Sequence, residues 1–442
     1  MKQDVCTKTG LQVPSILMPA AHVDLHAWSV IACDQYTSQP EYWDEVERAV
    51  GEKPSTLRLI YPEIYLNAPD REARIARVHR TMQDYLDQGL LVEQPQALYL
   101  VKRTTETTGT RWGLLAALDL EQYDYRKNAK SLIRATEGTI IDRIPPRMEI
   151  RKGAPIELPH ILVLIDDPKH LLIEPFTRTT DTLEQMYSFT LMKGGGEIAC
   201  WRIGDPALIS QAEDALLELS REAGGSPASD ALLYAVGDGN HSLATAKACW
   251  EEIKRSAENP DTVMNHPARW ALVELENIHD PGLTFEPIYR VLFGAQREAL
   301  EPYFSHVCKS WEFSPCTDAA EALSKTDCGD TEVHVVGYAD ERGFGHYRFT
   351  NPVSTIAVGT LQEALDRYLA DHPESAIDYV HGEEAARTLG QRPGCCAFFL
   401  PTVDKHTFFE AVRVDGALPR KTFSMGEAHE KRYYIEARRI TP

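Results

Sequence analysis

The chain has 442 residues, which is long enough for two or three domains, and 43% of them are hydrophobic, as in an ordinary globular protein. Its 66 acidic residues outnumber 46 basic ones, and the net charge of −20 argues against general nucleic-acid binding, which needs a basic surface. No run of about eighteen apolar residues occurs, so the sequence predicts no membrane span.

The nine cysteines are scattered and form no CxxC pair. An odd, scattered set is typical of reduced thiols, so we expect a cytoplasmic protein. His22 and His26 have helical spacing but no accompanying HExxH pattern, and we predict no protein-held metal site. Nothing in the sequence decides the oligomeric state, and a homo-oligomer stays open.

Helical and strand periodicities alternate along the chain, which predicts a mixed α/β fold, with both α/β and α+β character. Before residue 292 the predicted elements are a helix at 70–88, strands at 96–103, 111–123, 160–168 and 196–206, a helix at 207–223, a strand at 232–237, a helix after Gly239, and a strand at 269–278. After it they are strands at 332–340 and 346–350, a helix at 359–372, a strand at 377–382, a helix at 382–390, a strand at 395–401, and a helix at 404–412. We place a boundary at residue 292, giving domains 1–292 and 293–442.

The stretch "LLYAVGDGNHSLATAK" joins a strand to a helix through a tight turn. A helix N-terminus attracts anions, and Gly237 and Gly239 let the backbone approach a ligand closely. The candidate phosphate-binding residues of this turn are Asp238, Gly239, Asn240, His241, Ser242 and Thr245. An ordinary turn in which Asp238 or Asn240 caps the helix explains the same residues, and both interpretations stay open.

The segment at 134–152 is the second candidate, because it concentrates arginines and carboxylates ahead of a strand. Glu137 could accept a proton from a substrate hydroxyl, and Arg143 suits bidentate contact with phosphate. Thr139 lies between them. A solvated loop held by ion pairs is the alternative, and for Glu137 and Arg143 neither interpretation is preferred.

An ordered set of short motifs resembles a known family. The motifs are "STLRLIYPE", "GLLAALDLEQYDY", "RATEGT", "ILVLIDDP", "VGDGNHSLATA", "DPGLTFEPIYRVL" and "LPRKTFSM". Their order resembles the bacterial and archaeal domain-of-unknown-function family numbered 1015 (DUF1015) over nearly the whole chain.

Three polar motifs depart from the usual pattern of that family. Its Asp-Gly-His-His-Arg turn stands here as Asp-Gly-Asn-His-Ser at 238–242. Its His-Glu-x-Thr stands as Thr-Glu-Gly-Thr at 136–139, and its Pro-Thr-His-Arg as Pro-Ile-Tyr-Arg at 287–290. The departures indicate a divergent branch and leave the identity of its substrate open.

The turn also resembles that of the ParB/sulfiredoxin superfamily, whose members place nucleotide phosphates on the helix N-terminus. Free serine kinases in that superfamily use a glutamate as base. The resemblance implies a ParB/sulfiredoxin-like nucleotide-binding core, with a further α/β region after it whose last segment returns to the site. By the same analogy Glu137 would be the base, and Lys421 would join the site from the Lys-Ser/Thr motif near the C-terminus.

These resemblances imply a phosphotransferase that uses ATP or ADP with Mg²⁺ and phosphorylates serine or a related hydroxylated metabolite. Glu137, His241 and Arg143 would be catalytic, and Thr139, Arg290 and Lys421 would join the turn residues in binding the nucleotide. The expected partners are a small-molecule substrate and a nucleotide, without membrane. The alternative is a nucleotide-binding or phosphate-binding sensor or assembly protein without turnover.

Overall fold

The computed structural model describes residues 3–223, 231–327 and 331–442. The chain divides into two compact units. The first unit comprises Met1–Ala135, Thr139–Thr284 and Gly426–Pro442, and the second comprises Thr136–Gly138 and Phe285–Met425. The last segment of the chain therefore belongs to the same unit as the first.

The described helices vary from one turn to almost five. In chain order they are α1 (Gln3–Thr9), α2 (Leu25–Trp28), α3 (Pro40–Val50), α4 (Arg71–Asp87), α5 (Ile144–Arg151), α6 (Glu174–Thr177), α7 (Pro206–Glu222), α8 (Asn240–Ser256), α9 (Arg297–Phe304), α10 (Ala319–Ser324), α11 (Ala357–Asp371), α12 (Glu383–Gly390) and α13 (Lys405–Val414).

The described strands are mostly short. In chain order they are β1 (Leu11–Gln12), β2 (Leu17–Pro19), β3 (Val30–Ile31), β4 (Leu91–Glu93), β5 (Leu98–Thr105), β6 (Gly109–Asp119), β7 (Tyr123–Asp124), β8 (Ile133–Ala135), β9 (Ile156–Glu157), β10 (Leu162–Ile165), β11 (Glu184–Thr190), β12 (Glu197–Ile203), β13 (Tyr234–Asp238), β14 (Trp270–Asn277), β15 (Phe285–Phe293), β16 (Cys308–Cys316), β17 (Val333–Asp340), β18 (Gly343–Pro352), β19 (Ala376–His381), β20 (Cys395–Phe399), β21 (Phe423–Met425), β22 (Tyr433–Tyr434) and β23 (Arg438–Arg439).

A large mixed sheet forms the centre of the first unit, in the order β11-β12-β5-β6-β14-β10-β13-β8-β7, with β1 paired to β6. Its strands are antiparallel from β11 to β14, β10 runs parallel to β14, and β13 runs antiparallel to β10. Successive residues of β5 enter opposite hydrophobic clusters: Leu98 and Leu100 one, Tyr99 and Val101 the other. Because both faces of the sheet are covered, the sequences of the central strands are continuous runs of apolar residues.

The second unit contains an antiparallel sheet in the order β16-β18-β17-β20-β15-β19, with β21 paired to β15. Aromatic rings fill its core, where Tyr347 packs against Phe304 with ring centroids 4.9 Å apart and against Tyr338 at 5.5 Å. Residue 292 lies within β15 of this unit.

The mixed α/β class predicted from the sequence is confirmed. The long periodic elements are found where they were predicted, including α4, α7, α8, α11, β5, β6 and β14. Several elements were not predicted, among them α3, α5, α9, β11, β15 and β16. α5 begins with Ile-Pro-Pro at 144–146, and prolines that suggest a break are tolerated in a first helical turn. β16 lies at the edge of its sheet, and all of its residues except Cys308 are exposed or half-buried, so it has little hydrophobic pattern.

Eight cysteines fall within the described residues, and all are free thiols. In that same part of the chain, every helix is too short or too polar to cross a lipid bilayer.

Candidate functional site

The turn between β13 and α8 places a helix N-terminus at the end of a sheet strand. Gly239 has φ 78° and ψ 27°, a left-handed conformation that suits glycine. A Cβ at this position would come within 3.1 Å of the Cα of Ile161. Within the described chain, no side chain caps α8 with a hydrogen bond. The residue at the cap position is Gly239 rather than Asp238 or Asn240.

The Asp238 and Asn240 side chains bind other partners. Asp238 accepts a hydrogen bond from the main-chain N–H of Gly239 at 2.9 Å, and forms an ion pair with Lys431 Nζ at 3.1 Å. Asn240 donates from Nδ2 to the carbonyl of Val236 at 3.3 Å. Burial raises the pKa of Asp238, but Lys431, His160 and the Gly239 N–H together lower it by more, so the pKa lies below its ordinary value. Asp238 is thus a carboxylate neutralised by Lys431.

The loop at 139–143 contacts the first turn of α8. The main-chain N–H of Ile140 donates to His241 Nε2 at 3.4 Å, so Nδ1 carries the proton of a neutral ring. The Thr139 hydroxyl is buried and has no hydrogen-bond partner among the described residues. Arg143 is exposed at the start of α5. The first unit thus brings the Thr139 segment and His241 together.

Ser242 and Thr245 line a cavity of about 150 Å³ in the first unit. Half of its lining is apolar, and includes Leu59, Ile60, Met82, Ile150, Ile156 and Leu272. The Thr245 hydroxyl donates to the carbonyl of His241 at 2.7 Å and is therefore engaged within its own helix.

A line of hydrogen bonds crosses the polar side of this cavity. Ser242 Oγ lies 2.8 Å from His160 Nε2, and His160 Nδ1 lies 2.8 Å from the Tyr434 hydroxyl. The main-chain N–H of Cys33 donates to the Tyr434 oxygen at 3.1 Å. Sequence reasoning missed His160 and Tyr434, because no local pattern links three segments so far apart in the chain.

Two ion pairs complete the cavity lining. Arg147 binds Glu63 through two hydrogen bonds of 2.8 and 2.6 Å, and Arg151 pairs with Glu157. Burial raises the pKa of Glu63 in spite of the opposing attraction from Arg147. The cations and carboxylates of the wall therefore compensate each other.

The other three residues that the sequence predicts for the site, Glu137, Arg290 and Lys421, belong to the second unit. Glu137 is half-buried, and its Oε1 accepts a hydrogen bond from the main-chain N–H of Lys421 at 3.1 Å. Arg290 is fully buried and donates from Nη2 to the carbonyl of Arg420 at 3.3 Å. Burial lowers the pKa of Arg290 to about 10, although nearby groups including Glu137 oppose the shift. Glu137, Lys421 and Arg290 thus form one local group.

Buried carboxylates on β14 form a further charged group in the first unit. Glu274 accepts from Arg432 Nε at 2.7 Å. Glu276 is 1% exposed and lies 3.1 Å from Arg111 Nε, yet neither of its oxygens has a hydrogen-bond partner among the described residues. Burial raises the pKa of Glu276 to about 7, with Arg111 opposing and Glu274 adding to the shift. Glu276 therefore changes its charge near neutral pH.

Across residues 3–223, 231–327 and 331–442, no three or more His, Cys, Asp or Glu side chains group together in a way that could hold a metal ion.

The fold and this geometry define a mixed α/β protein with an uncapped helix N-terminus beside a half-apolar, charge-compensated cavity. The model of a family described as protein of unknown function (DUF1015) matches residues 16–368, and the chain belongs to this family. The resemblance to DUF1015 noted from the sequence is thereby confirmed. A comparison with curated proteins found no match.

Solved structures of similar proteins include three of particular interest. A free serine kinase variant in complex with ADP is 11% identical, with a TM-score of 0.38, and the match covers 74% of this chain and 92% of that one. A conserved hypothetical protein from Pyrococcus furiosus is 11% identical with a TM-score of 0.35, covering 73% and 90%. C-terminally truncated SbnI from Staphylococcus aureus is 11% identical with a TM-score of 0.33, covering 73% and 82%.

Proposed function

We propose that this protein is a nucleotide-dependent phosphotransferase that phosphorylates the hydroxyl group of a small metabolite, with serine or a related compound as the first candidate. The observation that carries the proposal is the start of α8, where left-handed Gly239 opens the helix without a side-chain cap. Such helix termini bind phosphate through main-chain N–H groups and the helix dipole.

The nucleotide phosphates would bind at the first turn of α8. His241 Nδ1–H and the buried Thr139 hydroxyl are the side-chain donors that this proposal uses. The hydroxyls of Ser242 and Thr245 are engaged with other protein groups. The charge of Asp238 is offset by Lys431, which reduces its repulsion of an anion at the helix terminus.

Glu137 would orient or deprotonate the acceptor hydroxyl. Its carboxylate is held by the main-chain N–H of Lys421, and an oriented carboxylate is what proton abstraction from an alcohol needs. Arg143 and Arg290 would stabilise negative charge on the transferred group, since positioning and electrostatics dominate phosphoryl transfer.

The donor would be ATP or ADP with Mg²⁺. Mg²⁺ in such sites takes most of its ligands from phosphates and water, so it does not require a protein-held cluster.

Nucleotide binding is tested by thermal unfolding with ATP, ADP, CTP and pyrophosphate, each with Mg²⁺. We expect at least one of them to raise the unfolding temperature, and His241→Ala to reduce that rise. His22→Ala is the matched control, because His22 is an exposed histidine of the same unit. Absence of stabilisation by every ligand contradicts the proposal.

Turnover is tested by following phosphate transfer from labelled nucleotide to serine and other hydroxylated metabolites. Glu137→Gln should abolish product while leaving the nucleotide-induced rise in unfolding temperature unchanged. Glu286→Gln removes an exposed carboxylate of the same unit and should change neither. Binding without turnover in the unaltered protein would replace the phosphotransferase with the nucleotide-binding sensor.

A further inference from the structure

The cavity beside α8 contains a serine, a histidine and a tyrosine joined by hydrogen bonds. Ser242 Oγ and His160 Nε2 are 2.8 Å apart, and so are His160 Nδ1 and the Tyr434 hydroxyl. His160 is 9% exposed and Tyr434 is 2% exposed, so bulk water does not compete for the bond between them, and Ser242 is half-buried. From this geometry we propose that Ser242 is a nucleophile that takes an acyl group from a small ester.

The role needs the tautomer of His160 in which Nδ1 carries the proton. The Tyr434 oxygen accepts from the main-chain N–H of Cys33 at 3.1 Å and lies 2.8 Å from His160 Nδ1. In this tautomer the same oxygen accepts from His160 Nδ1–H as well. His160 Nε2 is consequently an acceptor, and it receives the hydroxyl proton of Ser242.

Two other groups of the cavity are unsuited to be the nucleophile. Burial raises the pKa of Cys33 far above its ordinary value, so Cys33 remains an unreactive thiol. The hydroxyl of Thr245 is hydrogen-bonded to the His241 carbonyl. Ser242, in contrast, lies in the first turn of α8, where the positive end of the helix dipole favours a developing alkoxide.

The size and walls of the cavity indicate the substrate class. About 150 Å³ is below the range of about 300–1,000 Å³ typical of pockets for drug-sized ligands, so only a short acyl group fits. The apolar side, which includes Ile156 and Leu272, suits the acyl chain. The charged side is neutralised by its ion pairs, Arg147 with Glu63 and Arg151 with Glu157, which favours an uncharged ester over a free carboxylate.

The reaction balances with the ester and water as the only reactants. Ser242 Oγ bonds to the ester carbonyl carbon while its proton passes to His160 Nε2, and the carbonyl electron pair moves onto oxygen. The tetrahedral intermediate expels the alkoxide, which takes the proton from His160 and leaves as the alcohol. Water then attacks the acyl-serine by the same proton path, releasing the acid and restoring Ser242.

The experiment treats the full chain with p-nitrophenyl acetate and, separately, with a fluorophosphonate, and locates adducts by peptide mass spectrometry. We expect an adduct on Ser242 of the unaltered protein and none on Ser131, whose hydroxyl is bonded to a main-chain carbonyl. Ser242→Ala should abolish the adduct. His160→Gln should slow labelling at least about a hundredfold, the lower end of what a general base contributes.

Tyr434 is a positioning residue, and its variant separates that role from loss of structure. Tyr434→Phe removes the acceptor for His160 Nδ1–H, so we expect the inflection of the labelling rate against pH to move. A loss of stability alone changes the amount of active protein and leaves the inflection in place.

Absence of an adduct on Ser242, or equal labelling rates in the unaltered protein and in His160→Gln, overturns the inference. Both outcomes concern the cavity of the first unit alone. They can be told apart from failure of the proposed phosphotransferase, because no nucleotide or phosphate acceptor enters the experiment.

Discussion

The ammonium of Lys431 lies 3.1 Å from the carboxylate of Asp238 and joins the C-terminal segment to the turn that begins α8. The Lys431 side chain is 9% exposed and that of Asp238 is 23% exposed. Removal of one partner from such a pair leaves the other charge without compensation, which costs more than the loss of a surface ion pair.

Lys431→Met should lower the free energy of unfolding at neutral pH by about 3 kcal/mol, because the partly buried Asp238 carboxylate loses its cation. Urea denaturation measures this change. Lys53→Met is the matched control, since Lys53 pairs with Asp24 on the surface, and it should cost less than about 1 kcal/mol. Equal losses for the two variants would contradict the importance of the buried pair.

The ion pair between Asp238 and Lys431 also predicts that stability depends on pH in the acidic range. Because the pKa of Asp238 is lowered in the folded protein, its contribution is present above the unfolded pKa and is lost as the pH falls through the folded pKa. Asp238→Asn with Lys431→Met should therefore flatten the acid limb of a plot of unfolding free energy against pH. An unchanged acid limb would show that Asp238 ionises with its ordinary pKa.

The raised pKa of Glu276 predicts that stability depends on pH in the opposite direction to the dependence caused by Asp238. Its pKa is raised from 4.5 to about 7, so the folded state holds a proton that the unfolded state releases. The free energy of unfolding should fall as the pH rises from about 4.5 to about 7, by on the order of 3 kcal/mol at about 1.4 kcal/mol per pKa unit.

Glu276→Gln should remove this fall, because the amide cannot lose a proton, and chemical denaturation across this pH range measures it. Glu197→Gln replaces an exposed carboxylate of β12 and should keep the fall intact. Parallel pH profiles for the unaltered protein and Glu276→Gln would be inconsistent with a raised pKa.

Gly239 and Gly109 allow strain to be separated from crowding, because both have φ 78°. Alanine in a left-handed conformation costs about 1–2 kcal/mol at either position. At Gly239 the added Cβ also meets Ile161 at 3.1 Å, whereas at Gly109 nothing in the described chain lies within 4 Å. Gly239→Ala should therefore lower the free energy of unfolding by about 1 kcal/mol more than Gly109→Ala. Equal costs in urea denaturation would count against the close approach at Ile161.

Gly113 is required by the side chain that lies over it. A Cβ on Gly113 would stand 2.3 Å from Glu274 Oε1 and 2.5 Å from Glu274 Cγ, and Arg432 prevents that carboxylate from moving aside. Gly113→Ala should cost about 2–3 kcal/mol, measured by calorimetric unfolding.

The control for Gly113 is Gly138→Ala, because its Cβ meets no described atom within 4 Å and its backbone is not left-handed. That variant should leave the unfolding free energy almost unchanged. Comparable losses for the two alanines would indicate that Glu274 relaxes freely.

Much of the secondary structure was predictable because it depends on neighbouring residues. The apolar runs of β5 and β6 and the helical period of α7 are local patterns, and each element is found where it was predicted. The strand-turn-helix at Gly239 was predictable for the same reason. α5 was missed because its two prolines suggest a break when the helix start is unknown, and β16 because an edge strand buries few side chains.

The surroundings of the candidate site were not predictable, because they depend on contacts between distant segments. Nothing near Ser242 in the sequence indicates His160, and nothing near Asp238 indicates Lys431. The C-terminal segment brings Lys431 and Tyr434 into the first unit, while residues 136–138 belong to the second.

The sequence by itself determined the α/β class, the principal helices and strands, and the turn that opens α8, since hydrophobic periodicity and turn residues act over a few neighbouring positions. Only the tertiary structure decided which charges are buried and which side chains share a cavity. Burial and electrostatic compensation arise when distant segments pack together, and they set the ionisation of Asp238 and Glu276 and the hydrogen bonding of Ser242.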